Sequence, residues 1–279
     1  MDDPPGTRPL SEPARLVIPA DLEASLVLVR HGESELIVER RFQGRLETPL
    51  SPTGRRQAQL VAGRLARPHD RPALPVPVSS PLCVVHSPLS RAAETAAAIG
   101  EALGDGVPLR PDPAFLEIGQ GEWEGRLASE IGASDGERLA RWRRTPTEAW
   151  APGGERLADV RDRVVPGLQA VLDELASAGR PGSILAPQVA GYRDPGGGEG
   201  PWTILVAHDG VFKVALCVLF DLPLERFWMW SSELCAISVI EVRAGRPVVR
   251  ALNLTEHLAG LRDEEAVEES EARARSGAL

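Results

Sequence analysis

Leu26-Val27-Leu28-Val29-Arg30-His31-Gly32 is an unbroken apolar run that stops at two polar side chains able to carry positive charge. Short β-branched runs bounded by glycine fit a strand covered on both faces, as in a parallel sheet. The run therefore predicts a buried strand that delivers Arg30 and His31 to its carboxyl end, the end at which ligands sit in such sheets. An Arg-His pair by itself reads as a strand meeting the surface. A second run, Thr203-Ile204-Leu205-Val206-Ala207-His208-Asp209-Gly210, repeats the design and brings a second imidazole to the same rim.

Composition limits what the rim can be. Among 279 residues, 43% are hydrophobic and 25% charged, which suffices for a sizeable core and excludes wholesale disorder. A formal net charge of −9 argues against nucleic acid as a partner, although a local basic pocket can still hold a small anion. Nearly all the positive charge is arginine, and Lys213 is the only lysine. Cys83, Cys217 and Cys235 lack metal-ligand spacing and read as buried free thiols in a reducing compartment. No apolar run is long enough to span a bilayer and the amino terminus lacks a signal-peptide pattern, so the expectation is a cytoplasmic protein without a membrane partner.

In chain order, residues 1–24, rich in proline and charge, read as an extended arm. A single domain is expected over 25–260, followed by an acidic tail, 261–279. The polar stretch after the first strand, with Arg40, Arg41, Gln43, Gly44 and Arg45, lies where substrate contacts usually fall. Ser51-Pro52 predicts a capped covering helix carrying Ala58, Val61, Ala62 and Leu65. Leu82 to Val85 predicts a third strand, after which Ser87 caps and Pro88 starts a helix through Leu103 with Arg91 in its first turn. An arginine there adds to the anion-binding character of a helix amino terminus. Glu117 lies between Leu116 and Ile118, and apolar surroundings raise a carboxyl pKa, which suits a general acid. Glu122 and Glu124 flank Trp123 and are expected to face solvent. Residues 126–144 predict one or two polar helices capping the crevice, and Asp159 to Ala178 a helix with an apolar stripe, kinked at Pro166. Residues 179–201 form a Gly/Pro-rich insertion whose glycine cluster lacks the strand-to-helix context of a phosphate loop. Val211 to Phe220 predicts a buried helix, Phe227 to Trp230 core or an interface patch, and Leu234 to Val242 with Val248 to Leu252 a closing strand pair.

Arg30, His31, Arg91, Glu117 and His208 thus all come from strand ends or the loops beyond them. Two arginines and two histidines suit a compact, multiply charged anion, since the guanidinium fork matches phosphate oxygens in pairs. One histidine can attack phosphorus while the other stabilises charge. No lysine-bearing phosphate loop or acidic metal cluster accompanies them.

Val29-Arg30-His31-Gly32-Glu33-Ser34, Arg41-Phe42-Gln43-Gly44, Pro49-Leu50-Ser51, Gly54 and Gln57-Ala58 resemble the signature of the histidine phosphatase superfamily, the phosphoglycerate-mutase-like proteins. Ser87 to Ala96, Glu117 to Gly125, Pro152-Gly153-Gly154-Glu155 and Ala207 to Val211 extend the resemblance over residues 25–258, in the family's order. It implies an α/β three-layer sandwich, with a mainly parallel six-stranded sheet and helices on both faces. It implies that His31 is the nucleophile forming a phosphohistidine and that Arg30, Arg91 and His208 bind the phosphoryl group. Glu117 is implied as proton donor, and Gln43 and Gly44 as substrate contacts. Some positions depart from the pattern: Ile37 replaces a common asparagine, Arg156 a serine, His86 a small hydroxyl residue and Asp209 a frequent glycine.

The expectation is a phosphatase of the family's phosphatase branch acting on a small-molecule phosphomonoester, without metal or cofactor, with a homodimer left open. Three other readings remain: mutase-type phosphoryl transfer, a non-enzymatic phosphate- or phosphoprotein-binding module, and a metal site built from His31, His208 and Glu117. The last is disfavoured because two arginines repel a cation.

Overall fold

The computed structural model describes residues 15–179 and 200–261. Most of the amino-terminal arm, nearly all of the 179–201 insertion and all but the first residue of the acidic tail lie outside them. The first strand, β1, spans Ala24–Arg30, followed by α1 (Glu35–Val38) and α2 (Pro52–Ala66). Next come β2 (Val84–His86), α3 (Ser90–Leu103), β3 (Leu109–Pro111), α4 (Ala128–Arg144) and α5 (Leu157–Ala178). The chain closes with β4 (Trp202–Ala207), α6 (Asp209–Leu219), β5 (Ile237–Arg243) and β6 (Arg246–Leu254).

Six strands make one sheet in the order β3-β2-β4-β1-β5-β6. The first four run parallel, whereas β5 pairs antiparallel with β1, and β6 antiparallel with β5. The sheet is therefore mixed. A hairpin through Ala244 and Gly245, both at positive φ (44° and 69°), suits a two-residue turn but cannot give parallel pairing.

Side chains alternate across a strand, so β1 serves two cores. Leu26 and Leu28 join Val160, Val164, Leu168, Val171 and Leu172 of α5 and Val211 and Val214 of α6 on one face. Val27 and Val29 join Val61, Ala62 and Leu65 of α2 and Ala92, Ala96 and Ile99 of α3 on the other. Helices consequently flank both faces. Burying each such aliphatic side chain contributes about 1.5–3 kcal/mol, which holds the strand ends rigidly in place.

Two helix starts behave differently. Ser51 Oγ accepts from Gly54 N at 2.9 Å and Pro52 opens α2, as expected. The start predicted at Ser87-Pro88 is corrected: α3 begins at Ser90, with Leu89 in the capping position. Ser87 Oγ lies 2.7 Å from His208 Nε2 and only 3.4 Å from Leu89 N, so its better partner is a histidine.

Candidate active site

Strand register builds the centre of the site. Arg30 of β1 pairs with Ala207 of β4, so the next residues of these parallel strands, His31 and His208, emerge side by side. Their rings meet edge to face with centroids 4.9 Å apart. His86 of β2 pairs with Val206, which brings Ser87 beside His208. Three adjacent strands thus contribute the residue just past their carboxyl ends.

The turn after β1 is tightly held. Gly32 N donates to Thr95 Oγ1 of α3 at 3.1 Å, while Gly32 O lies 2.6 Å from His31 Nδ1. A carbonyl can only accept, so Nδ1 carries the ring proton and Nε2 keeps its lone pair. Burial, then the charges of Arg91 and Arg30, push the His31 pKa well below its ordinary value. His208 is lowered in the same way, by burial first and then by His31, Arg91 and Arg30. Both rings are therefore neutral near pH 7, as a nucleophilic imidazole must be.

Arg91 is 0% exposed, and its two terminal nitrogens donate to Leu46 O at 2.9 Å and Gly44 O at 2.8 Å. Gly44 sits at φ +52°, and a Cβ there would lie 2.1 Å from Glu124 Oε1, so the turn that presents its carbonyl requires glycine. Arg30 Nη1 donates to Ser232 O at 2.6 Å. Arg30 Nε, Arg91 Nε and His208 Nδ1 are buried and unpartnered among the described residues. An unpaired buried donor costs about 1–3 kcal/mol, so the two guanidinium Nε–H groups at one site call for an acceptor of high negative charge.

Glu117 closes the other side. Its Oε1 accepts from Ile118 N at 2.8 Å and Val211 N at 3.1 Å, and its Oε2 from Gly210 N at 3.2 Å. Close approach requires glycine at 210, where a Cβ would come within 2.6 Å of Oε1. These N–H donors and Arg91 favour the carboxylate, yet burial outweighs them and the pKa is raised. The direction matches the expectation, although the cause is desolvation in a polar nest as much as apolar neighbours. Arg163 holds this loop from below through Glu117 O at 3.1 Å and Ala114 O at 2.8 Å, and pairs with Glu155 at 3.0 Å.

Arg30, His31, Gln43, Gly44, Arg91 and Glu117 line one cavity of about 200 Å³. His208, 0% exposed, is not among the lining residues but stands against His31, with ring centroids 4.9 Å apart. Ile37 lies in α1 outside this lining. Glu122 is exposed as expected, but Glu124 accepts from Arg45 N and Gln120 N, both at 2.9 Å, and braces the loop instead of facing solvent. Sequence reasoning did not single out Lys213, Asp209, Gln120, Trp142 or Trp228 as pocket residues, although all five line it. Lys213 gave one signal, as a lone lysine in an otherwise apolar helix. A larger groove of about 730 Å³ between α2 and β6 carries Arg64, Arg67 and Arg250 but none of the strand-end residues. Among the described residues no group of three or more His, Cys, Asp or Glu could hold a metal ion, and no helix is long and apolar enough to cross a membrane.

These features define a phosphate-handling histidine enzyme, and comparison with known proteins gives the same class. The model of the histidine phosphatase superfamily (branch 1) matches residues 26–186 and 192–255, and the chain belongs to that superfamily. Phosphoserine phosphatase 1 of Hydrogenobacter thermophilus is 30% identical over 234 residues, 84% of this chain and 93% of that protein. Glucosyl-3-phosphoglycerate phosphatase of Mycobacterium tuberculosis is 35% identical over 206 residues, 72% of this chain and 78% of that protein. Among solved structures, mycobacterial glucosyl-3-phosphoglycerate phosphatase in complex with VO3 superimposes with a TM-score of 0.63 at 30% identity. That match covers 83% of this chain and 99% of the other. The chain is a phosphatase that hydrolyses phosphomonoesters.

Proposed function

We propose that the chain hydrolyses a small-molecule phosphomonoester by way of a phosphohistidine on His31, without a metal ion. The observation that carries this reading is the His31 Nδ1 to Gly32 O hydrogen bond at 2.6 Å, which leaves Nε2 as the free nucleophile, with unpartnered donors of Arg30, Arg91 and His208 nearby. His31 Nε2 attacks phosphorus as the bond to the ester oxygen breaks, and Glu117 gives its proton to the departing oxygen. The two guanidiniums hold the phosphoryl oxygens as charge moves onto them, a role that needs preorganised donors in a water-poor site. A phosphate dianion beside Glu117 shifts its pKa upward again, in the direction a proton donor requires. Water then attacks the phosphohistidine, giving its proton to the Glu117 carboxylate, and inorganic phosphate leaves with His31 restored. His208, held through Nε2 by Ser87, offers Nδ1 to the phosphoryl group.

Product analysis tests the reading. Inorganic phosphate should accumulate in the presence of a chelator, vanadate should inhibit competitively because it adopts five-coordinate geometry, and His31→Ala should release none. Return of an isomeric phosphate with little inorganic phosphate would favour a mutase. Loss of activity on chelation, restored by a divalent ion, would favour a metal enzyme.

A further inference from the structure

The outer half of the pocket differs in chemistry from its floor. Lys213 Nζ lies 2.7 Å from Asp209 Oδ2, with side chains only 9% and 27% exposed. The same nitrogen stands 4.7 Å from the Trp228 ring centroid and 5.4 Å from that of Phe227, a cation–π arrangement that fixes the ammonium in place. Asp209 Oδ1 accepts from Ser232 N at 3.3 Å, so the pair is anchored from both ends. Gln43 and Gln120 add amide groups to the wall, and Trp228, 44% exposed, forms part of its rim.

Resting on the phosphatase reading above, we propose that this wall selects an uncharged, hydroxyl-rich leaving group, a sugar or polyol, over one that carries a carboxylate. Charge decides between the two. Arg30 and Arg91 together carry two positive charges, which match a phosphate dianion, and neither is spent on an acid by a direct ion pair at the pocket. Lys213 is matched by Asp209, and Glu117 lies beside that pair, held by Gly210 N and Val211 N at the amino end of α6. A second anionic group on the substrate would compete with Asp209 for the one cation of the wall. A hydroxyl group meets no such obstacle. It donates and accepts together, as do the glutamine amides, and a wall that offers ammonium donors, a carboxylate acceptor and two amides suits several hydroxyls at once. The aromatic rings provide flat apolar surface for the C–H faces of a sugar ring, in the mix of apolar wall and few polar groups common to small-molecule sites. A cavity of about 200 Å³ admits a phosphate with one small organic group.

The full-length chain tests this with hexose phosphates, ribose phosphates and glycerol phosphate compared against phosphoserine and phosphoglycerate. Wild type should favour the best sugar phosphate by about tenfold or more in kcat/KM, the discrimination that well-placed hydrogen bonds afford. Asp209→Asn, which leaves the Lys213 charge unmatched, should shift that ratio towards the carboxylate-bearing esters by about tenfold, one charge-pair step. Trp228→Ala, at an exposed rim position, should lower kcat/KM for sugar phosphates more than it alters vanadate inhibition, which reads the floor alone. A wild-type preference for phosphoserine or phosphoglycerate, or an unchanged ratio in both variants, would overturn the inference while phosphate release kept the phosphatase reading intact. Failure to release phosphate from every ester, nitrophenyl phosphate included, would overturn both.

Discussion

The floor and the outer wall of one small pocket are built by opposite means. At the floor, His31, Arg30 and Arg91 are fixed by backbone: strand register and the Gly32 turn place His31, Ser232 O holds Arg30, Leu46 O and Gly44 O hold Arg91, and neither guanidinium forms an ion pair with an acid among the described residues. At the wall, Lys213 is fixed by side chains, with its charge matched by Asp209 and its position set by two aromatic rings. Backbone anchoring keeps donors rigid and hungry for an anion, which is what phosphoryl transfer needs. Side-chain anchoring gives a surface that can change residue by residue without disturbing the strands. On the proposed mechanism the chemistry resides in the floor and, on the further inference, the choice of ester in the wall.

Breaking the floor should have the largest effect. Arg91→Ala removes a buried guanidinium aimed at the transferring group, and kcat/KM should fall by about a thousandfold, the upper range for loss of one preorganised donor. Stopped assays on any accepted ester check this, and a loss below tenfold would place Arg91 among structural residues. Glu117→Gln comes next. A lost general acid costs about a hundredfold where the leaving oxygen is strongly basic, so alkyl phosphates should suffer by that amount in single-turnover phosphoenzyme formation. Nitrophenolate departs without help and should suffer far less. Equal slowing for both leaving groups would contradict the proton-donor role and leave Glu117 as a brace for the amino end of α6.

The smallest effect sharpens the comparison through stability. His31 and His208 have lowered pKa values in the folded state, chiefly from burial. Below the unfolded-state value near 6.5, the unfolded chain binds protons that the folded chain refuses. The stability these neutral rings confer is thus present above that pH and lost as pH falls towards the folded values. Glu117, with its raised value, acts in the opposite sense, its contribution being lost as pH rises through that value. Urea unfolding of the wild type should therefore weaken on acidification by up to about 1.4 kcal/mol per pH unit for each histidine, and His31→Asn should remove one such share. Identical pH slopes in wild type and variant would show that His31 is not held neutral by the fold.

How much of this was legible in the sequence differs between the same two regions. The floor was readable because an unbroken apolar run that ends in Arg-His-Gly, and another that ends in His-Asp-Gly, mark their rim positions, while the roles of these residues came from the family resemblance. Register between distant strands is not encoded in either run, so the 4.9 Å approach of the two rings had to come from the fold. Serine before proline favours a helix cap at Ser87, but His208 Nε2 at 2.7 Å is the closer partner of its hydroxyl. Glu124, expected in solvent because it flanks Trp123, instead accepts from Arg45 N and Gln120 N, which the turns at Gly44 and Gly121 bring to it. The antiparallel β5–β6 hairpin follows from a tight turn whose two residues, Ala244 and Gly245, do not match the usual Asn-Gly signal. The wall was hardly legible: Lys213 and Trp228 lie 15 residues apart on separate elements, and each alone looks like ordinary helix or core.

The most direct test of the account is to quench the wild-type enzyme during turnover of a labelled phosphomonoester and locate the label. The account predicts one labelled peptide containing His31, with phosphate that is lost in acid and retained in base, and no label in His31→Ala. Label on any other residue, or full turnover by His31→Ala, would contradict it.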